Sequence, residues 1–372
     1  MTGALPPLTA IPADLRSLAD YERRAEAHLA PDVWRHIQAG DGAELSLAAN
    51  RAQFDRRSLI PSALADMREA TTELDLLGLR HAAPILLAPV AYHRLAHPQG
   101  ELATIRAATA LDTAMVVSTL SSVPLEEIAE AAHAAARELG KPAPAPWFQL
   151  YMQPDRGHSA ELVRRAEAAG YGVLVFTVDA SVKRASITLP PGVEAANLRD
   201  MPGVSQDTSV ADGRILLGTP LLDAAPRWED LAWLRGLTRL PIVVKGLLSP
   251  GDACLARDHG ADAIIVSNHG GRVLDGLASP LDMLPMMAGA VQGDLPLLLD
   301  SGVRRGTDVL KALALGARAV LIGRPQLHAL AVAGMPGVAH MLHILRAELE
   351  LAMAQVGRPT LSAIDASLLR TA

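Results

Sequence analysis

From residue 84 onward the chain repeats one rhythm: a short, unbroken apolar run, a turn, then roughly ten to fifteen residues with apolar positions at helical spacing. Eight runs carry it: 84–90 (PILLAPV), 114–118 (AMVVS), 146–151 (PWFQLY), 172–178 (GVLVFTV), 241–245 (PIVVK), 263–267 (AIIVS), 296–300 (PLLLD) and 319–322 (AVLI). They lack sustained polar alternation, as expected of parallel strands covered on both faces. The intervening stretches, such as ELVRRAEAA (161–169) and DVLKALAL (308–315), carry apolar residues at helical spacing. Several run into a glycine (Gly170, Gly260, Gly316) just before the next strand, and glycine ends helices because it accepts a left-handed backbone. Eight strand–helix pairs over about 260 residues predict an α/β fold, a (β/α)8 TIM barrel. A doubly wound open sheet is the alternative that the same alternation allows.

Residues 1–80 read as an N-terminal helical extension, with helical patterning over 15–29 and 32–39. The barrel is expected over 81–360 and a C-terminal tail over 361–372. A long loop after the fourth strand, about 180–226, holds Pro190-Pro191-Gly192 and Pro202-Gly203 and no regular pattern, which suits a functional lid.

Composition narrows the function. The 372 residues are 50% hydrophobic but only 3% aromatic, so the core is built from Ala, Leu, Val and Ile. The net charge is −6 with no dense basic run and few rings for base stacking, which argues against nucleic acid as a partner. A single cysteine, Cys254, fits a reducing compartment. With no signal-peptide pattern and no long unbroken apolar run, a cytoplasmic protein without a membrane partner is expected. No HExxH, Cys/His pair or spaced carboxylate cluster appears, so no metal is expected. A P-loop is also missing, and Gly40-x-Gly42 follows no strand, so ATP and Rossmann-type dinucleotides have little support.

In a barrel of this kind the C-terminal strand ends converge on one mouth. Here those ends supply Pro89-Val90-Ala91, Ser118, Gln149 and Tyr151, and Thr177 and Asp179. The second half supplies Lys245, then Ser267, His269 and Arg272, then Asp300, Gly302 and Arg304, and finally Gly323 and Arg324. Strand interiors are otherwise almost wholly apolar, so the polar ends together read as a site. The last two loops, DSGVRRG (300–306) and IGRP (322–325), suit a phosphate. Glycine lets backbone N–H groups approach it, a helix N-terminus adds positive potential, and Arg304 or Arg324 can bind it bidentately. In SNHGGR (267–272), His269 can act as a base beside a carboxylate-holding Arg272, with Asp179 supporting the protonated ring. Lys245 needs an anion at the end of its apolar strand. It can stabilise negative charge on a cofactor or form a Schiff base.

The run VVKGLLSPGDACLARDHGADAIIVSNHGGRVLDG (243–276), followed by LLLDSGVRRGTDVLKALALGARAVLIGRP (297–325), resembles the FMN-dependent 2-hydroxy acid oxidase and dehydrogenase family. That family includes glycolate oxidase, lactate oxidase, mandelate dehydrogenase and hydroxymandelate oxidase. The likeness also takes in LAPVAYHRLAHPQGE (87–101), the LSS–EE stretch (120–127), PWFQLY and FTVD (176–179), and spans about residues 15–360. It implies FMN in the mouth and oxidation of an (S)-2-hydroxy acid to the 2-oxo acid, with electrons passing to oxygen or to a soluble or quinone acceptor. Carried over by residue, it implies that Pro89, Val90 and Ala91 line the flavin face. Ser118, Gln149, Thr177, Lys245 and Ser267 would bond the isoalloxazine and ribityl chain, with Lys245 near flavin N1 and O2. Asp300, Gly302, Arg304, Gly323 and Arg324 would hold the phosphate. His269 would take the hydroxyl proton in a hydride-transfer account, or the α-proton in a carbanion account. Asp179 would pair with its imidazolium, and Arg272 and Tyr151 would hold substrate. Relatives often form tetramers, so a homo-oligomer is expected by analogy.

Leu120 stands where glycolate oxidases carry Trp, which resembles the mandelate and hydroxymandelate branch and leaves room for a larger, aryl substrate. Two positions depart from the family. Its N-terminal substrate Tyr falls on His36, in PDVWRHIQAG (31–40), a further candidate substrate contact. The segment leading to the second active-site Arg is shortened to TVDASVKRAS (177–186), leaving Arg184 or Lys183 as candidates. The alternatives are an FMN enzyme for an atypical hydroxy or amino substrate in a biosynthetic pathway and, outside the flavoproteins, a Lys245 Schiff-base aldolase or a phosphosugar isomerase. SNHGGR argues against the non-flavin readings.

Overall fold

The computed structural model describes residues 4–180, 187–201, 217 and 220–371. Three helices open the chain: α1 (Leu18–His28), α2 (Pro31–Gln38) and α3 (Leu45–Asp55). Helix α1 begins inside its patterned stretch because Ser17 caps it, the Ser17 side chain accepting the Asp20 N–H. Pro31 opens α2, where a fixed φ and a missing N–H cost nothing. The region before residue 80 also holds strands: β1 (Arg57–Leu59) and a hairpin of β2 (Leu74–Leu76) and β3 (Leu79–His81).

Each of the eight apolar runs holds a parallel strand. These are β4 (Ile85–Leu87), β5 (Val116–Ser118), β6 (Trp147–Leu150), β7 (Val173–Thr177), β8 (Ile242–Leu247), β9 (Ala263–Val266), β10 (Leu297–Leu299) and β11 (Ala317–Ile322). They pair in chain order, β11 returns to β4, and a parallel bridge between Leu87 and Met115 brings β4 to the edge of β5. The sheet closes on itself as a TIM barrel, not as an open sheet. Outside it lie α4 (Glu101–Ala110), α5 (Leu125–Glu138), α6 (Arg156–Ala168), the short α7 (Pro220–Asp223), α8 (Trp228–Leu237), α9 (Pro250–Asp258), α10 (Pro280–Val291), α11 (Gly306–Ala314) and α12 (Arg324–Val356). Helix α12 is long and apolar enough to cross a bilayer by composition. Most of that stretch is buried within the chain, and the helix breaks at Ala333–Gly334. The C-terminal residues are not a free tail, because β12 (Leu369–Thr371) pairs antiparallel with β1.

Side-chain alternation along the strands separates two cores. Leu87, Phe148, Val244, Ile264 and Leu299 face outward and pack with the helices. Val116, Trp147, Val175, Val243, Ile265 and Leu298 face inward, and Leu74 and Leu76 of the hairpin join them. Two residues further along each of those inward faces stand Ser118, Gln149, Thr177, Lys245, Ser267 and Asp300, all buried. A period of two keeps them on the same inner face, so the barrel interior turns from apolar to polar at its C-terminal end.

Part of the expected lid lies within the described residues. Asn197, in a short turn of 3-10 helix (Ala196–Leu198), accepts the Leu125 N–H (2.9 Å) and donates to Ser121 Oγ (2.8 Å), pinning 187–201 beside the start of α5. The candidates Arg184 and Lys183 lie outside the described residues.

Candidate active site

Strand register places the inner polar groups side by side: Ser118 opposite Gln149, and Thr177 opposite Lys245. Ser118 Oγ donates to Gln149 Oε1 (3.1 Å), which also accepts the Thr119 N–H (3.2 Å), so that amide is held from one side only. Gln149 Nε2 and Thr177 Oγ1 are buried without a protein partner. Burying such atoms unpaired is costly, so they mark where a polar ligand completes the site. Pro89, Val90 and Ala91, half-buried, follow β4 at the same end.

Lys245 Nζ donates to Ser267 Oγ (3.1 Å) and lies 3.3 Å from Asp300 Oδ2. Burial works against the ammonium, but Asp300 and then Asp179 hold its pKa above the ordinary lysine range. Asp179 follows the end of β7. Burial pushes its carboxyl up, while Lys245 and His269 outweigh that and hold it below the usual range. Its placement depends on Gly246. That residue sits at a register shift between β8 and β9 with φ +108°, and a Cβ there would lie 2.5 Å from Asp179 Cβ.

His269 is half-buried just past β9, with φ +57°, unusual for a residue with a side chain. Its Nδ1 meets Asp179 Oδ1 at 2.8 Å and its Nε2 meets the Tyr151 hydroxyl at 3.3 Å. An ionised carboxylate only accepts, so Nδ1 carries the proton and Nε2 presents its lone pair, here to the tyrosine O–H. Burial, and then Asp179, raise the Tyr151 phenol well above its ordinary pKa, which keeps it a donor.

The arginines converge on the end of α2. Arg272 Nη1 donates to the carbonyls of His36 (2.9 Å) and Ala39 (2.9 Å). Arg324 Nε donates to Ile37 O (2.9 Å) and its Nη2 to Ala39 O (3.0 Å). These are the orphan carbonyls every helix leaves at its C-terminus. Burial pushes the Arg324 guanidinium down to about 9, with Arg272 and Arg304 adding to the effect. Arg304 donates from its side chain to Val303 O (3.0 Å), with Glu22 at 3.9 Å as its nearest carboxylate. Carbonyl dipoles cannot neutralise three cations, so the cluster is built for an anion. Gly302 (φ +93°) and Gly323, the residue before α12, stand beside it. Asp300 is set apart from the arginines: its carboxylate meets Lys245 and accepts the Ser301 hydroxyl (2.8 Å).

Two contributions carried no motif in the sequence. One is Gly246, whose only signal is a glycine directly after the strand-end lysine. The other is α3, whose Asn50 and Arg51 reach the loops after β9 and β10. No group of three or more His, Cys, Asp or Glu among the described residues could hold a metal.

Buried donors without partners inside the mouth, and three arginines with only Glu22, 3.9 Å from Arg304, close to them, call for a ligand with a polar ring system at one end and a phosphate at the other. FMN has that shape and chemistry, which makes the class a flavin-dependent barrel oxidoreductase. The comparisons agree: the family profile for FMN-dependent dehydrogenases matches residues 25–371, and the chain belongs to that family. It is 48% identical over 368 residues to an L-lactate oxidase of Alicycliphilus denitrificans, covering 96% of this chain and 97% of the relative. It is 44% identical over 355 residues to a 4-hydroxymandelate oxidase of Amycolatopsis orientalis, covering 92% and 94%. A solved structure of mandelate oxidase with benzoyl-formic acid superposes with a TM-score of 0.83 at 42% identity, covering 96% of this chain and 98% of that one. The chain is thus an FMN-dependent enzyme of the 2-hydroxy acid oxidase family.

Proposed function

We propose that this enzyme oxidises (S)-2-hydroxy acids with a side chain larger than hydrogen to 2-oxo acids and passes the electrons to oxygen. The observation that carries the reading is His269, held at Nδ1 by Asp179 and open at Nε2 toward Tyr151. Bound FMN supplies the two-electron acceptor. His269 Nε2 takes the substrate's hydroxyl proton while the C2 hydrogen leaves with the electron pair that bound FMN would accept, and the ionised Asp179 stabilises the imidazolium that results. Arg272 and the Tyr151 hydroxyl orient the substrate carboxylate. Among the described residues, the Arg272 hydrogen bonds all leave from Nη1, so the rest of its fork is available.

The buried Lys245 ammonium, Gln149 and Thr177 would hold the flavin ring. Arg304, Arg324 and the glycines 302 and 323 would hold its phosphate. Asp300 fits a ribityl hydroxyl better than the phosphate, because a carboxylate accepts hydrogen bonds and repels a second anion. Leu120, half-buried just after β5 with its carbonyl accepting the Tyr92 N–H (3.1 Å), is the residue we assign to the border of the substrate space. That supports side chains from methyl to phenyl, in line with relatives named for lactate and mandelate.

Mixing the yellow holoenzyme anaerobically with glycolate, L-lactate or (S)-mandelate tests this. Lactate or mandelate should bleach the flavin faster than glycolate, and admitted air should restore the colour with release of hydrogen peroxide. A flavin that none of the three reduces would overturn the reading. Colour restored only by a quinone would overturn the oxygen assignment.

A further inference from the structure

We infer that α3 positions the two halves of this site through adjacent residues: Asn50 sets the loop that carries His269, and Arg51 sets the loop that grips phosphate. The inference rests on the roles proposed above for those loops. Neither residue is assigned a catalytic contact, since each acts through a partner.

Asn50 is buried and forms a reciprocal amide pair with Asn268. Asn50 Nδ2 donates to Asn268 Oδ1 (2.8 Å), and Asn268 Nδ2 donates back to Asn50 Oδ1 (2.8 Å). The same Asn268 Oδ1 accepts the Gly271 N–H (3.0 Å), closing a turn across His269. His269, Gly270 and Gly271 are consecutive residues with φ of +57°, +68° and +72°. A left-handed backbone costs a histidine about 1–2 kcal/mol, which contacts from outside the turn can offset. Helix α3 supplies them at close range: a Cβ on Gly271 would lie 2.6 Å from the Leu47 nitrogen.

Arg51 faces the other loop. Its Nη1 donates to Gly302 O (2.9 Å) and to Asp308 Oδ2 (2.5 Å), and its Nη2 donates to Asp308 Oδ1 (2.8 Å). Asp308 is fully buried, and its Oδ2 also accepts the backbone N–H groups of Arg304 and Arg305, both at 2.9 Å. The pair therefore fixes the backbone from which Arg304 projects. A Cβ on Gly302 would lie 2.3 Å from the Asn50 carbonyl oxygen, so α3 touches this loop as well. One helical turn thus holds proton transfer and phosphate binding in register.

The test compares Asn50→Ala and Arg51→Met with wild type, reading flavin affinity by fluorescence quenching and flavin reduction by anaerobic stopped flow. Asn50→Ala should keep FMN affinity and lose about 10- to 100-fold in the rate of reduction at saturating substrate. Arg51→Met should lose about 10- to 100-fold in FMN affinity, keep its affinity for riboflavin, and reduce normally once saturated with FMN. Arg51→Lys, which keeps the charge but not the fork, should fall between Arg51→Met and wild type. Riboflavin binding checks that the barrel mouth is intact. Parallel loss of FMN and riboflavin in Arg51→Met, equal loss of affinity and rate in both variants, or wild-type behaviour in either would overturn the division. Failure of the functional reading shows separately, as a wild-type holoenzyme that no hydroxy acid reduces.

Discussion

The first and second halves of the barrel mouth are built from different chemistry. Strands β5, β6 and β7 end on Ser118, Gln149 and Thr177, neutral groups that are buried and partly unpaired. Strands β8 to β11 lead into Lys245, Ser267, His269, Arg272, Asp300, Arg304 and Arg324, all but Ser267 ionic or able to become so. Asp179 follows the neutral half but reaches across to Lys245 and His269. The contrast suits an elongated ligand. Neutral donors read an uncharged ring edge at small desolvation cost, while the charged side takes the phosphate, the carboxylate and the moving proton.

Four measurements would break or sharpen that contrast. The largest effect is expected on the charged side at His269. His269→Ala should retain its flavin and lose roughly 10²- to 10⁴-fold in anaerobic reduction by substrate; unchanged reduction would remove it from the chemistry. Next is Lys245→Met, which leaves the buried Asp300 carboxylate without its cation and takes Lys245 away from Asp179, and should destabilise the apoprotein by about 3–5 kcal/mol. The raised lysine pKa gives the loss a pH signature. Its stabilisation is complete below about pH 10.4 and disappears as pH rises through the higher folded value, so thermal melts of wild type and variant should converge only in strong alkali. Third, Arg324→Ala should weaken FMN by about 10- to 100-fold through the loss of a charge-assisted bond, without weakening riboflavin. Adding inorganic phosphate should raise the melting temperature of the wild-type apoprotein more than that of the variant. The smallest effect belongs to the neutral side: Gln149→Leu or Thr177→Val should cost about 0.5–1.5 kcal/mol in flavin affinity, read by equilibrium titration. Losses there as large as at Arg324 would erase the distinction between the halves.

Much of the barrel was legible along the chain because each strand is a contiguous apolar run and each helix a contiguous periodic one. The inner polar ring was legible for the same reason, since strand alternation carries Val116 to Ser118 and Val243 to Lys245 on one face. The hairpin at Leu74–His81 and the pairing of β1 with β12 were not, because three-residue strands are too short to show a period. Nor could the sequence show that Arg272 and Arg324 share the carbonyls at the end of α2, or that Asp300 faces Lys245 and not the arginines. Those partners lie far apart along the chain, and no local pattern records them.

By itself, then, the sequence determined the alternation of strands and helices, the one-sided convergence of polar side chains and the family to which SNHGGR and DSGVRRG point. Local periodicity and residue chemistry are sufficient for those properties. Only the tertiary structure decided which atoms meet: Asp179 laid over Gly246, His269 held in a left-handed turn, and α3 braced against two loops at once. Close packing sets these contacts, and they depend on distances between segments that come together only when the barrel closes.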